Sequence, residues 1–436
     1  MSTSIHAVEN EVHENPVYDL KLSSVGPANV TESGVTYEPT NVDLAMKLHY
    51  LLGLYFFPKE AVEGLTIYNI KEAMFTLFNS FNMCCGRFRR SDESSRRPYI
   101  KCNDGGVRII EAKCKYTIDE CLEMKDCSLH KLLVYNQVLG TPELAISPPI
   151  LVQFTWFKCG GMSIGLSWAH VLGDAFLASH LINSWGQLVS TGHPPHNLQK
   201  LESKTKMEGK RSFVDLQPLS RRVNPVGDYW KFVNNSNMIT FCFQINATKL
   251  ENILLKISGQ CKARQIPTFE CLSAIIWKTL AKIRTEVEPQ VVTVCRNCYK
   301  VNNSHSGNNQ IFGTVKAECQ VKDANPSDLA GLMLDQTTHE KCQMDQVIEK
   351  DGRLSDFVVY GANLTFLDLE ESEIYEMELK GHKPVFANYM VEGVANSGLV
   401  LVLPGPSNKG RTVTVILPEN EILQLRAELG KEWCIV

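Results

Sequence analysis

His170 and Asp174 are the pair in this chain whose types and spacing suit a chemical step. A histidine with a side-chain pKa near neutrality takes a proton from an alcohol or amine as that group attacks a thioester. An aspartate after three intervening residues lies one helical turn or one tight loop away, where it fixes the loop or the imidazole rather than attacking. The oxyanion formed at the carbonyl needs hydrogen-bond donors from elsewhere in the chain. In a chain with 11 histidines an HxxxD spacing arises readily by chance, and the alternative is a strand-end histidine satisfied by the backbone. Two other spacings are weaker. Cys295 and Cys298 form a CxxC with no second pair for a zinc ribbon and no helix behind it. His193 and His196 sit in a Gly-Pro-Pro loop, where no helix brings them to one face.

The elements that position His170 are legible around it. Leu151–Phe157 and Met162–Trp168 read as two strands joined by Lys158-Cys159-Gly160-Gly161, a hairpin. A helical stretch through Phe176, Leu177, His180, Leu181 and Trp185 follows, so His170 falls where a strand gives way to a helix. Upstream, Ile70, Ala73, Met74 and Leu77 recur at helical spacing, with Gly86 placed to end that helix. Downstream come a strand from Met238 to Ile245, a helix from Thr268 to Arg284 and a strand from Gln290 to Val294. Two late strands, Gly398–Leu403 and Thr412–Leu417, precede a last helix opened by Pro418 at its first position. Residues 1–18 read as a polar arm, 19–191 as a first domain, 192–225 as a crossover linker rich in Pro, Lys, Ser and Arg, and 226–436 as a second domain.

Composition bounds the function class. A chain of 436 residues with 44% hydrophobic and 21% charged residues supports two cores of ordinary size. A net charge of −4 gives no basic field for nucleic acid or anionic lipid, so a small-molecule or protein partner is expected. The start carries no basic segment followed by an apolar one, no long apolar run suits a membrane span, and neither Ser2 nor Cys434 fits a lipidation signal. Fifteen scattered cysteines, an odd number, read as buried thiols. A soluble, intracellular, two-part α/β protein without a metal site is expected.

The run Val152–Gly161, then Ile164–His170, then Asp174, resembles the central region of the plant BAHD acyltransferases. Cys85-Gly86-Arg87-Phe88, Ile100–Val107 and Ala274-Ile275-Ile276-Trp277-Lys278 with Arg284 resemble the same family in the same order. The resemblance implies a mixed α/β fold of two chloramphenicol-acetyltransferase-like domains, joined by a crossover and enclosing a channel with the histidine at its middle. It implies His170 as general base, Asp174 as an orienting residue paired with an arginine of the second domain, for which Arg296 is the candidate with an exposed strand-end arginine as the alternative, and acyl-CoA as co-substrate with no bound cofactor. Asn363 and Thr365 are candidate substrate-side donors to an oxyanion, with strand-end polarity as the alternative.

Three places depart from the family pattern. Ala175 follows Asp174 where glycine is usual; Glu378–Pro384 occupies the place of the Asp-Phe-Gly-Trp-Gly signature; and Ile311-Phe312-Gly313-Thr314 replaces Tyr-Phe-Gly-Asn. Asp43–Tyr50, Tyr99–Asp104, Asp356–Phe366 and Lys380–Pro384 with Asn388-Tyr389 resemble the eceriferum and glossy wax branch of the family. That branch implies an accessory role in very-long-chain fatty acid elongation for cuticular wax. It implies a monomeric chain working with a 3-ketoacyl-CoA synthase, cytosolic and held at the endoplasmic reticulum through that partner. The alternatives are an acyl-CoA-dependent O- or N-acyltransferase using His170, and a non-catalytic scaffold.

Overall fold

The computed structural model describes residues 15–90, 97–124, 127–194, 219–258, 266–297, 307–337, 356–406 and 409–435. Most of the expected arm (1–14) and linker (195–218) lies outside the described residues, as do Cys298 and His196. The first strand, Val17–Val25, begins within the span read as the arm.

Two six-stranded sheets organise the described chain. From edge to edge the first holds Val17–Val25, Val107–Cys114, Ile150–Phe157, Met162–Ala169, Tyr50–Phe57 and Phe386–Glu392. The second holds Met238–Ile245, Arg411–Pro418, Leu399–Pro404, Leu364–Asp368, Val291–Asn297 and Gln310–Lys316. The expected hairpin is present as an antiparallel pair with Trp156 opposite Met162.

Apolar runs without alternation belong to strands covered on both faces. Every residue of Tyr50–Phe57 is buried. Because successive side chains point to opposite faces, Leu51, Tyr55 and Phe57 join one core while Leu52, Leu54 and Phe56 join another with Leu129, Leu133 and Phe386. The second sheet works the same way. Val292, Val294, Val400, Val402, Val413 and Val415 pack with the helices Thr268–Ile283 and Glu419–Trp433. Their neighbours Cys295, Leu399, Leu401 and Leu403 turn the other way and share a core with the first sheet. The two sheets thus meet across a common apolar layer, and the His170 loop lies in it.

A division at residue 225 cuts through the first sheet. Phe386–Glu392 comes from the second half of the chain yet pairs antiparallel with Tyr50–Phe57, Tyr389 opposite Gly53. The glycine is needed there, since a Cβ at Gly53 would lie 2.9 Å from the Tyr389 ring. Two helix boundaries also differ from expectation. The helix Ile67–Leu77, started by a Thr66 and Asn69 capping box, ends at Leu77, and Gly86 instead closes a separate short turn, Asn82–Cys85. Pro418 ends a strand and caps the last helix, with Glu419 and Glu421 in its first turn. Among the described residues no helix is long and apolar enough to cross a membrane.

Candidate functional site at the His170 loop

Met162–Ala169 runs directly into a single 3-10 turn, His170–Leu172, and then into the helix Ala175–Thr191. Gly173 makes the corner at φ 156°, and a Cβ there would lie 2.5 Å from Leu177 Cδ2 and 3.0 Å from the Gly307 carbonyl oxygen. Only glycine fits both the angle and the space. Trp168 Nε1 donates to the Gly173 carbonyl at 2.9 Å, tying strand end to corner.

Asp174 caps the helix. Its Oδ1 accepts from the amides of Phe176 (3.1 Å) and Leu177 (3.2 Å), which otherwise have no partner within the helix. Its Oδ2 accepts from the Asn309 amide at 2.9 Å. A strap from the second half of the chain therefore lies over the loop, and Gly307 forms a parallel bridge with Gly173. The buried carboxylate of Asp43 holds the same strap, accepting from the Asn308 amide (2.9 Å) and from Asn308 Nδ2 (2.8 Å). Asn308 Nδ2 also donates to the His170 carbonyl at 2.9 Å.

The imidazole has no solvent-exposed surface. His170 Nε2 lies 3.0 Å from the hydroxyl of Tyr360, and that hydroxyl donates to Gln310 Oε1 at 3.0 Å. With the phenol proton on Gln310, the tautomer that fits has Nε2–H donating to the phenol oxygen; if the amide is turned, the phenol donates to Nε2 instead. Either way Nε2 is engaged. Tyr360 is also held by His49, whose ring packs against it with centroids 4.7 Å apart and planes tilted by 46°. His49 Nε2 accepts from the amides of Val359 (3.1 Å) and Tyr360 (3.3 Å). Burial lowers the His170 pKa to about 4, against weaker opposing hydrogen bonds from the backbone and Asn308. Burial first, and the neighbouring His170 second, lower His49 to about 3. Both rings are neutral at pH 7, and His170 is a weak base.

The remaining sequence-predicted residues are placed as follows. Arg296 does not pair with Asp174. It stands on Val291–Asn297 and forms an ion pair with Glu270 of the helix Thr268–Ile283, its guanidinium 5.5 Å from the Phe269 ring. The Asp174 oxygens are turned instead toward backbone amides, which a capping position requires. Thr365 is buried, and its hydroxyl donates to the Asn363 carbonyl (2.9 Å) and accepts from the Gly361 amide (3.2 Å). Asn363 Nδ2 donates to Thr293 Oγ1 at 3.2 Å. These hydrogen bonds brace the turn that carries Tyr360, so the hydroxyl of Thr365 is not aimed at a carbonyl beside His170. The rewritten 378–384 segment is a tight hairpin turn. Lys380 (φ 50°) and Gly381 (φ 78°) lie between Leu379 and His382, which exchange backbone hydrogen bonds. It lies against the helix that follows Asp174, with Ser190 Oγ donating to the Glu378 carbonyl at 3.1 Å. Sequence spacing missed Tyr360, His49, Gln310 and Asn308. The signal for two of them was present, because His49 and Tyr360 fall inside the Asp43–Tyr50 and Asp356–Phe366 strings.

The model of the Transferase family matches residues 21–430. The chain is 40% identical over 432 residues to Protein ECERIFERUM 26 of Arabidopsis thaliana, covering 96% of each chain. It is 36% identical over 430 residues to Protein ECERIFERUM 2 of the same plant, covering 95% of this chain and 98% of that one. Among solved structures it is similar to F. graminearum TRI101 complexed with coenzyme A and deoxynivalenol, with TM-score 0.73 and 13% identity over 92% of this chain and 98% of that one. At that identity the likeness speaks for the fold alone. The chain belongs to the Transferase family, the BAHD acyltransferases, in the branch of the eceriferum proteins.

Proposed function

We propose that this protein is an accessory factor of very-long-chain fatty acid elongation for cuticular wax, which acts with a 3-ketoacyl-CoA synthase and does not use His170 as a general base. The observation that carries the second half is the engagement of His170 Nε2 by Tyr360 at 3.0 Å, with the imidazole fully buried. A base must reach the proton it takes, and must have a pKa near the working pH. Neither holds here. The first half is supported by identity to ECERIFERUM 26 and ECERIFERUM 2 along almost the whole chain. Acyl-CoA is the ligand class consistent with the coenzyme A complex of the TRI101 neighbour. The chain would be held at the endoplasmic reticulum through the synthase. Fold similarity does not itself carry catalysis.

The intact His170, Gly173 and Asp174 loop favours a second reading, acyl transfer from acyl-CoA to an alcohol or amine. One experiment separates them. The chain is co-expressed with a 3-ketoacyl-CoA synthase in a host lacking wax, as native protein and as His170→Ala, and fatty acid chain lengths are measured. Extension that survives the substitution supports the accessory role; extension abolished while the variant stays folded rejects it. Purified protein offered acyl-CoA and alcohols, with free thiol measured, tests transfer directly.

A further inference from the structure

We infer that Tyr360 is the residue that withholds His170 from acyl chemistry: its hydroxyl occupies the position on Nε2 that the hydroxyl of an acceptor or of water would have to take. This deepens the non-catalytic reading of the site and rests on it.

The contact is built rather than incidental. Two residues fix Tyr360 at three points: Gln310 accepts a hydrogen bond from its hydroxyl, the His49 ring packs against its ring at a 46° tilt, and His49 Nε2 accepts from its amide and that of Val359. His49 in turn donates nothing to these amides and must stay unprotonated at Nε2 to accept from them, which its depressed pKa satisfies. The turn beneath is braced by Thr365 and Asn363. Tyr360 itself is fully buried, so no solvent-facing movement of an exposed side chain frees the imidazole. Meanwhile everything that places His170 is intact: the strand end, the Gly173 corner, the Asp174 cap and the Asn308 contact to its carbonyl. The loop is positioned for chemistry and closed at one atom.

Removing the cap should therefore restore a reaction that needs no acceptor site, thioester hydrolysis. Without the phenol the neutral imidazole takes the tautomer that carries its proton on Nδ1, and water entering the vacated space gives its proton to the bare His170 Nε2 as its oxygen bonds the carbonyl carbon. The carbon–sulfur bond then breaks, and the departing thiolate takes the proton from the imidazolium. The products are a fatty acid and the free CoA thiol.

The test uses the full chain as native protein, Tyr360→Phe, Tyr360→Ala and the double variant Tyr360→Ala/His170→Ala, with palmitoyl-CoA as probe. Free thiol is followed, His170 is mapped for carbethoxylation by diethylpyrocarbonate, and imidazole 15N shifts are recorded on histidine-labelled protein. Tyr360→Ala should release thiol on the order of 10-fold faster than the double variant, below an evolved general base because no nucleophile is positioned. Its His170 should become carbethoxylated where the native residue is protected. Tyr360→Phe keeps the ring packing and removes only the hydroxyl, so it guards against a fold failure of the alanine variant; its His170 Nε2 shift should move to that of a nitrogen without a hydrogen bond. The inference is overturned if the Phe variant leaves the Nε2 shift unchanged, or if a folded Ala variant leaves His170 protected and thiol release at the level of the double variant. The accessory reading fails separately: if His170→Ala abolishes elongation while the Tyr360 variants behave as expected, the cap stands and the non-catalytic reading is lost.

Discussion

The Oδ2 oxygen of Asp174 accepts a hydrogen bond from the Asn309 amide 2.9 Å away, a tie between residues 135 positions apart. It joins the helix cap to the strap that crosses the His170 loop. The aspartate of the HxxxD spacing is thus a device that clamps two parts of the chain. Its chemistry is that of a cap, and its removal should be felt as stability.

Asp174→Ala leaves the amides of Phe176, Leu177 and Asn309 without their acceptor. Loss of an N-cap costs about 1 kcal/mol and a buried unsatisfied donor a further 1–3 kcal/mol, so a total of roughly 3 kcal/mol is expected. Asp174→Asn retains one acceptor oxygen and should lose less than half of that. Urea unfolding of the three proteins measures both. Equal stability of all three would show that the strap is held by Asp43 alone.

The two buried histidines make stability depend on pH with a definite sign. Unfolded, both titrate near 6.5; folded, burial lowers His170 to about 4, and burial with His170 lowers His49 to about 3. Between about pH 6.5 and 4 the unfolded chain binds protons that the folded chain refuses, so their contribution is fully present above 6.5 and is lost as the pH falls. Two such groups make the loss on the order of 2 kcal/mol from pH 6 to 5. His170→Gln removes one of the two titrations and should flatten this slope by about half. Urea midpoints at pH 7, 6 and 5 give the slope, and an unchanged slope in the variant places the protonation elsewhere.

Much of this arrangement is readable along the chain, and the unreadable part has a common cause. The hairpin before His170 follows from two β-rich runs around Gly160-Gly161, and the face Ile70, Ala73, Met74 and Leu77 is buried as its spacing requires. These are local periodicities. The pairing of Phe386–Glu392 with Tyr50–Phe57 is set by tertiary register, which no local pattern records. The approach of Tyr360 to His170, 190 positions away, is of the same kind. Arg296 shows the cost of inferring a partner from family logic: its strand was legible, but its ion-pair partner depends on which helix lies over that strand.

Gly173→Ala tests the corner itself. At φ 156° an L side chain is strained, and its Cβ would meet Leu177 Cδ2 at 2.5 Å and the Gly307 carbonyl at 3.0 Å. Backbone strain of about 1–3 kcal/mol is expected, together with overpacking of similar size. The Leu177 side chain can turn aside, but the Gly307 carbonyl belongs to the strap and cannot without opening the bridge. Thermal melting should therefore fall by several degrees. Amide hydrogen exchange should rise at Asn309 as well as at the helix start; faster exchange confined to residues 173–177 would show that the strap does not depend on the corner.

Arg296 offers the sharpest separation of the geometry found from the one the family pattern implies. Its partner Glu270 is 2% exposed, and Glu270 Oε2 has no hydrogen-bond partner, so Arg296 is the charge that makes the buried carboxylate tolerable. Arg296→Ala strands that carboxylate and should cost about 3–5 kcal/mol, the usual penalty for breaking a buried pair from one side. Arg296→Met with Glu270→Leu removes both charges and fills the space, and should recover most of the loss. The neighbouring Asp368 is raised to about 7, by burial first and Glu370 next, with Arg296 acting to lower it. Arg296→Ala should therefore move Asp368 further upward, which carboxyl 13C titration records. Double-mutant cycles then decide the pairing. Arg296 with Glu270 should couple by roughly 3 kcal/mol, whereas Arg296 with Asp174 should be additive to within about 0.5 kcal/mol. A large coupling to Asp174 would restore the pairing implied by the family and contradict the contacts that place its two oxygens on the amides of Phe176, Leu177 and Asn309.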